Sequence, residues 1–249
     1  MTVANQPHQI AIYATQPHDC PYLAERTART AFIDPRAPLG PAVYDALLGQ
    51  GLRRSGSHVY RPICPACSAC RSLRIPVARF RPRRRHRRSW RRNSDLAMAR
   101  VPARFDPDHY RLFQRYVRAR HPHGGMDGTT ADEYRRFLFA DWCDTELLEF
   151  RLDGELLAVA VTDRTPTALS AVYTFFEPRA QDRGLGTLAI LAQIELARAL
   201  GRNWLYLGYW IAECASMRYK AEFTPHEVFT PDNQWTVVDS PKDPPHQYE

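Results

Sequence analysis

Three stretches of this 249-residue chain carry residue types dense enough to do chemistry. The first is Cys64-Pro-Ala-Cys67-Ser-Ala-Cys70, three thiols at intervals of three residues in a turn-forming context. Thiolates are soft donors, and short C-x-x-C steps can wrap a tetrahedral ion or hold part of an iron–sulfur cluster. A fourth donor is required, and Cys20, also followed by proline, is the best candidate. Donor type alone leaves zinc and iron–sulfur open. Cys143 and Cys214 stand apart and read as buried thiols. The start, MTVANQPHQI, has no basic and apolar leader pattern, so six unevenly spaced cysteines argue for a cytoplasmic, reduced protein over a disulfide framework.

The second stretch is RFRPRRRHRRSWRR, residues 79–92, with nine arginines and no acid. The chain's net charge is +7, so without this run the remainder would be slightly acidic. The basicity is therefore one patch. Guanidinium groups this dense repel one another until a polyanion neutralises them, and nucleic acid is the natural cytoplasmic polyanion. Arg83, Arg84, Arg85, Arg87 and Arg88 are the expected phosphate contacts. A solvated loop is the plainer alternative.

The third is Gln181-Asp182-Arg183-Gly184-Leu185-Gly186-Thr187. Glycines let backbone N–H groups approach a ligand, and a following helix N-terminus favours an anion there. Such a loop works only between a strand and a helix, and the surrounding pattern supplies both. Asp106-Pro107 caps a helix over 107–121, with Tyr110, Phe113 and Val117 on one face, and His121–Gly125 breaks it. Thr130-Ala-Asp-Glu133 has the capping-box pattern for a second helix. Strands are predicted over 146–152, 155–162 and 169–176, with Asp153-Gly154 as a hairpin turn. A helix over 187–200 ends at Gly201, and a strand follows over 204–209. This order predicts a mixed α/β (α+β) chain. A GNAT-like acyltransferase domain would occupy 101–249, after a cysteine-bearing N-terminal domain over 1–100 that ends in the arginine run. No apolar stretch approaches the roughly 20 residues of a membrane span.

Several ordered motifs together carry a family resemblance: Cys20-Pro-Tyr-Leu with Arg26-Thr-Ala-Arg29-Thr30, Leu52-Arg-Arg-Ser-Gly56 with Val59-Tyr60-Arg61-Pro62, and the cysteine cluster running into Ser72-Leu-Arg-Ile-Pro76. They continue through Arg91-Arg-Asn93, His123-Gly-Gly-Met-Asp127, Ser170-Ala-Val-Tyr-Thr-Phe-Phe176, Tyr206-Leu-Gly-Tyr-Trp-Ile211 and Met217-Arg-Tyr-Lys220. Over about residues 10–235 the chain resembles the arginyl-tRNA–protein transferase family, in detail its bacterial aspartate/glutamate leucyltransferase branch. It departs from the family pattern at Leu23, where a second cysteine is common, at Ser216 and at Gly184. The resemblance implies transfer of leucine, or arginine, from charged tRNA to proteins beginning with Asp or Glu, which marks them for degradation.

Such a reaction is aminolysis of an ester already activated, so no organic cofactor is required, and orientation and charge stabilisation supply most of the acceleration. An α-amine with a pKa near 7.7–8.0 needs little general-base help. Tyr173 and Glu177, on and after the third strand, are the candidate catalytic groups. Arg54, Tyr60, Tyr209, Tyr219 and Lys220 lie in the resembling motifs, and an acidic N-terminus needs a cation such as Arg54 or Lys220. Phe175, Tyr209 and Trp210 are candidates to line a leucyl pocket. Arg183, Gly184, Gly186 and Thr187 would meet the aminoacyl-tRNA. Two other readings remain: a coenzyme A-dependent acetyltransferase, which leaves the arginines and cysteines idle, and a non-enzymatic nucleic-acid-binding metalloprotein, which leaves the GNAT-like half idle.

Overall fold

The computed structural model describes residues 10–120 and 126–240. The His123-Gly124-Gly125 part of one motif and the break expected over 121–125 lie outside them. The chain opens with short strands β1 (Ile12–Ala14), β2 (His18–Asp19), β3 (Thr27–Ala28) and β4 (Thr30–Ile33). Helix α1 (Pro41–Gly49) carries its proline in the first turn, where no N–H is missed. Then come β5 (Arg53–Ser55), β6 (His58–Pro62), β7 (Arg71–Pro76), helix α2 (Arg84–Arg92) and β8 (Ala97–Pro102). The second half adds α3 (Pro107–Arg120), α4 (Ala131–Leu138), β9 (Asp144–Leu152), β10 (Glu155–Arg164), β11 (Ala168–Phe176), α5 (Leu185–Ala199), β12 (Trp204–Trp210), β13 (His226–Phe229) and β14 (Trp235–Val238).

Local chemistry sets these boundaries. The Asp106 carboxylate accepts from the Asp108 and His109 N–H groups at the start of α3. Thr130 and Glu133 close the reciprocal box at the start of α4. Asp153 and Gly154 both take positive φ, the requirement of a tight hairpin turn, and join β9 to β10.

The strands form an eight-stranded sheet in the order β14-β13-β7-β12-β11-β10-β9-β8 and a four-stranded sheet in the order β1-β4-β6-β5. Among the described residues of the large sheet only β11 and β12 run parallel, with α5 as their crossover. Strand β10 is buried from Leu156 to Asp163, as a strand covered on both faces must be. One face packs on α5 through Leu185, Leu188, Ala189 and Ala192, the other on α3 and α4 through Leu112, Phe113, Tyr134 and Leu138. Strand β7, from the cysteine-bearing half, sits between β12 and β13, so the sheet crosses the boundary expected near residue 100. Within the arginine run, read from the sequence as a phosphate-binding patch or a solvated loop, Arg84–Arg92 form the helix α2 docked on α5. What anchors it is His86, fully buried and stacked on Phe223 at 4.9 Å. Burial, then Arg85 and Arg83, push the His86 pKa down to about 4, so the ring packs as a neutral aromatic.

Candidate active site

The site grows from the parallel pair. Strands β11 and β12 pair only from Ala168–Ser170 to Trp204–Tyr206. Beyond that β11 continues to Phe176 and β12 to Trp210, and β12 bulges against β7 at Gly208 with φ +72°. A wedge therefore opens at the carboxyl ends of two parallel strands, the place where open α/β sheets receive ligands. Helix α5 begins at this opening. Gly184 caps it in the left-handed conformation, φ +67°, and a Cβ there would meet nothing, so backbone conformation and not space calls for glycine. The Leu185 and Gly186 N–H groups have no acceptor among the described residues, and Thr187 N–H turns back to the Gly184 carbonyl at 3.0 Å. Tyr116 from α3 meets Phe176 at 4.9 Å and Tyr173 at 6.3 Å. The Tyr173 hydroxyl is buried with no hydrogen-bond partner among the described residues, and burial raises its pKa well above the ordinary tyrosine value.

The other side of the wedge is cationic. Lys220 is 8% exposed, and its Nζ donates to the Tyr209 carbonyl at 2.6 Å. Burial, then the neighbouring Arg53 guanidinium, push its pKa down to about 7. Arg53, on β5, is half-buried and has no carboxylate partner among the described residues. Its guanidinium stands 5.8 Å from the Tyr209 ring centre. It lies so close across Gly208 that a Cβ there would come within 2.5 Å of Nη1, which explains a glycine at that bulge twice over. Tyr60 packs on Tyr209 at 5.8 Å. Tyr209 uses its hydroxyl to bind the Gly51 and Tyr60 carbonyls, at 3.2 and 3.0 Å, and so orders the wall. Tyr219 is exposed beside it.

Five candidates have other occupations. Arg54 is 1% exposed and chelates Asp163 through two bonds of 2.6 Å, while its other N–H groups bind the Gly56 and Leu138 carbonyls and the Thr145 hydroxyl. Sealed from solvent and paired to a buried carboxylate, it is out of reach of a substrate carboxylate. Its neighbour Arg53, missed in the sequence, holds the open position. Glu177 is buried and bracketed by Arg115 at 2.9 Å and Arg179 at 3.7 Å, so both its carboxylate oxygens are engaged by guanidinium groups. Arg183 is chelated by Asp95 at 2.8 and 2.9 Å, so its guanidinium serves the loop and not a phosphate. Phe175 is fully buried among Phe113 and Tyr134, and no leucyl group can reach it; Trp210, also buried, belongs to the core beneath β12.

Along α2, Arg83, Arg84, Arg87 and Arg88 are exposed without a carboxylate partner among the described residues, whereas Arg85 pairs with Glu222. The thiols share one locality. Cys70 has its pKa raised by burial and then by Cys64, Cys20, Cys67 and Cys214. The Arg29 N–H points at Cys64 Sγ, 3.4 Å, and Arg26 at Cys67 Sγ, 3.6 Å. As placed, no three His, Cys, Asp or Glu side chains among the described residues are gathered to hold one ion. The donor chemistry, soft sulfurs met by N–H groups, suits a thiolate-bound metal.

A mixed sheet parted at the parallel β11–β12 pair, with a glycine-capped helix starting in the gap, is a GNAT-like architecture. Comparison with known proteins then identifies the family. Residues 18–88 match the family model "Arginine-tRNA-protein transferase, N terminus" and residues 108–230 its C-terminal counterpart. The chain is 51% identical over 231 residues to the aspartate/glutamate leucyltransferase of Alkalilimnicola ehrlichii, covering 92% of this chain and 96% of that one. To the protein of the same name from Halorhodospira halophila it is 52% identical over 223 residues, covering 89% and 94%. Among solved structures it is similar to FemX, with 9% identity, a TM-score of 0.45 and coverage of 80% and 79%. The chain belongs to the arginine-tRNA-protein transferase family and is an aminoacyl-tRNA–protein transferase.

Proposed function

We propose that this enzyme moves leucine from leucyl-tRNA onto the α-amine of cytoplasmic proteins beginning with Asp or Glu, and so marks them for degradation. The observation that carries the acceptor side is Arg53: a half-buried guanidinium without a carboxylate, facing the wedge beside Lys220. A fixed cation in a partly dry site offsets the desolvation of an acidic side chain that would otherwise be costly to bury. The donor side rests on the names of the relatives and on the exposed arginines of α2.

In this reading the peptide amine enters between β11 and β12 and attacks the leucyl ester carbonyl. A C–N bond forms, the C–O bond to the terminal ribose breaks, and the proton lost by the amine ends on the ribose oxygen. The Tyr173 hydroxyl, without a partner of its own, donates to the developing oxyanion or to the leaving oxygen. Lys220, titrating near 7, is the group able to take the amine's proton at neutral pH. Tyr116 and Phe176 offer the leucyl side chain its apolar wall. The Leu185 and Gly186 N–H groups at the start of α5, with the Thr187 side chain, receive the terminal phosphate. Cys20, Cys64, Cys67 and Cys70 are the residues that would hold zinc or an iron–sulfur cluster, which would brace this half of the fold; elemental analysis of the purified protein tests that. The function itself is tested by offering peptides beginning with Asp, Glu, Asn or Lys together with leucyl- and arginyl-tRNA. Addition of the leucine mass to the acidic peptides alone supports it, and equal modification of the Asn or Lys peptides refutes it.

A further inference from the structure

The wedge accounts for the ester, but not for a second surface beside it. Cavities of about 510 Å³ and about 270 Å³ meet at Trp90 on α2, and Trp90 is 37% exposed. Their floor is apolar, with Leu191 and Ala192 of α5, Leu148 and Phe150 of β9, and the exposed Met98 of β8. Arg87 and Arg91 stand on the rim. The one carboxylate lining both cavities, Glu195, is paired with Arg198. An indole open to solvent between guanidiniums suits a flat, electron-rich ring attached to phosphate, because every base offers a face to stack and the cations match the backbone.

The groove's position says which bases can reach it. The C-terminal end of α2 is tied to the glycine loop: Arg92 donates to the Asp182 carbonyl, and Asn93 Nδ2 reaches the Ser89 and Arg183 carbonyls at 2.8 and 3.0 Å. Trp90 therefore lies within one helical turn of the loop at which the terminal phosphate enters. The ester that reacts in the wedge sits at the tip of the unpaired 3′ end of tRNA, and that strand must leave the wedge past this surface.

We propose that the groove binds an unpaired 3′ nucleobase of the tRNA, stacked on Trp90 with its flanking phosphates on the α2 arginines. The inference rests on the reading that charged tRNA is the donor. Glu195, exposed where the two cavities meet, is placed to accept from a base N–H. A stacked base would also fix the direction in which the ester enters, so that the arginines need only supply attraction.

The test uses the full-length protein and uncharged tRNA, either intact or trimmed of its single-stranded 3′ nucleotides. Trp90→Leu keeps apolar packing and removes the stacking face; Trp90→Phe keeps a smaller one. Trp90→Leu should weaken binding of intact tRNA by about tenfold or more, with Trp90→Phe between it and the parent protein. The slope of affinity against salt should stay unchanged, and neither variant should alter binding of trimmed tRNA. Equal affinity of Trp90→Leu and the parent for intact tRNA overturns the proposal, as does an equal loss on trimmed tRNA. Thermal unfolding of both variants checks that the fold persists, and the Phe variant supplies the gradation if the Leu variant unfolds. Leucine transfer by the parent protein is measured in parallel. Its failure would remove the proposed function while the binding difference stood on its own.

Discussion

Two cationic regions border the stretch from Lys220 to Phe223, which carries Lys220 to the wedge and packs Phe223 on α2, and they are built on opposite plans. Helix α2 carries six arginines in nine residues, most of them in water, and positions four apart repel rather than support one another. Each is individually weak; together they form a surface whose attraction for phosphate is long-ranged and salt-sensitive. The wedge offers Arg53, half-buried beside the Tyr209 ring, and Lys220, buried and bound to the Tyr209 carbonyl. Number serves capture; placement serves discrimination. Within the wedge the contrast repeats at closer range. Arg53 and Arg54 are consecutive on β5, so they point to opposite faces of the strand. One is locked to Asp163 and braces the small sheet against β10, and the other is left for a ligand.

The largest effect should separate these two neighbours. Arg54→Met leaves Asp163 as an uncompensated buried charge and should cost about 3–5 kcal/mol of stability in denaturant titrations. A loss of acidic-peptide preference without a loss of stability would reverse the roles assigned here. Arg53→Met should leave the melting midpoint nearly unchanged and lower the rate with Asp peptides by about a hundredfold or more, with Asn peptides affected far less. Next, changing Arg83, Arg84, Arg85, Arg87 and Arg88 to Gln should flatten the salt dependence of tRNA binding by about 0.7–0.9 logarithmic units for each phosphate contact removed. Peptide affinity should not move; an unchanged slope would reduce α2 to a solvated helix. The smallest effect concerns pH. His86 and His226 have folded pKa values near 4, so from about pH 6.5 down to 4 the unfolded chain binds protons that the folded one does not. Stability should therefore decline over that window as pH falls, and His86→Phe, which keeps the stack on Phe223, should shrink the decline.

What could be read in advance follows the range of the interactions. Capping at Thr130, the Asp153-Gly154 turn and the glycine loop before α5 are local, and they are where the pattern places them. The motif stretches also single out Lys220 and Tyr209, which the fold brings into contact. Which of two adjacent arginines is open depends on the phase of a three-residue strand against a partner 109 positions away, and no local pattern carries that. Likewise the helix in the arginine run is held by His86 against Phe223, a contact from far along the chain. Phe175 and Tyr173 share a strand, yet one is sealed by α3 and α4 while the other ends at the wedge with an unpaired hydroxyl. Glu177 reads as a free carboxylate until α3 brings Arg115 to it.

The position of β7 also governs how the molecule can be made. It is synthesised early, yet its neighbours β12 and β13 leave the ribosome more than a hundred residues later. Until they arrive, β7 has two unpaired edges and the cysteine-bearing half cannot close its core. Closing so long a loop carries an entropic cost before any pairing offsets it, which slows folding. The two halves therefore ripen together or not at all: neither should yield a stable fragment when expressed alone, and the nascent chain needs protection from edge-to-edge association during the interval.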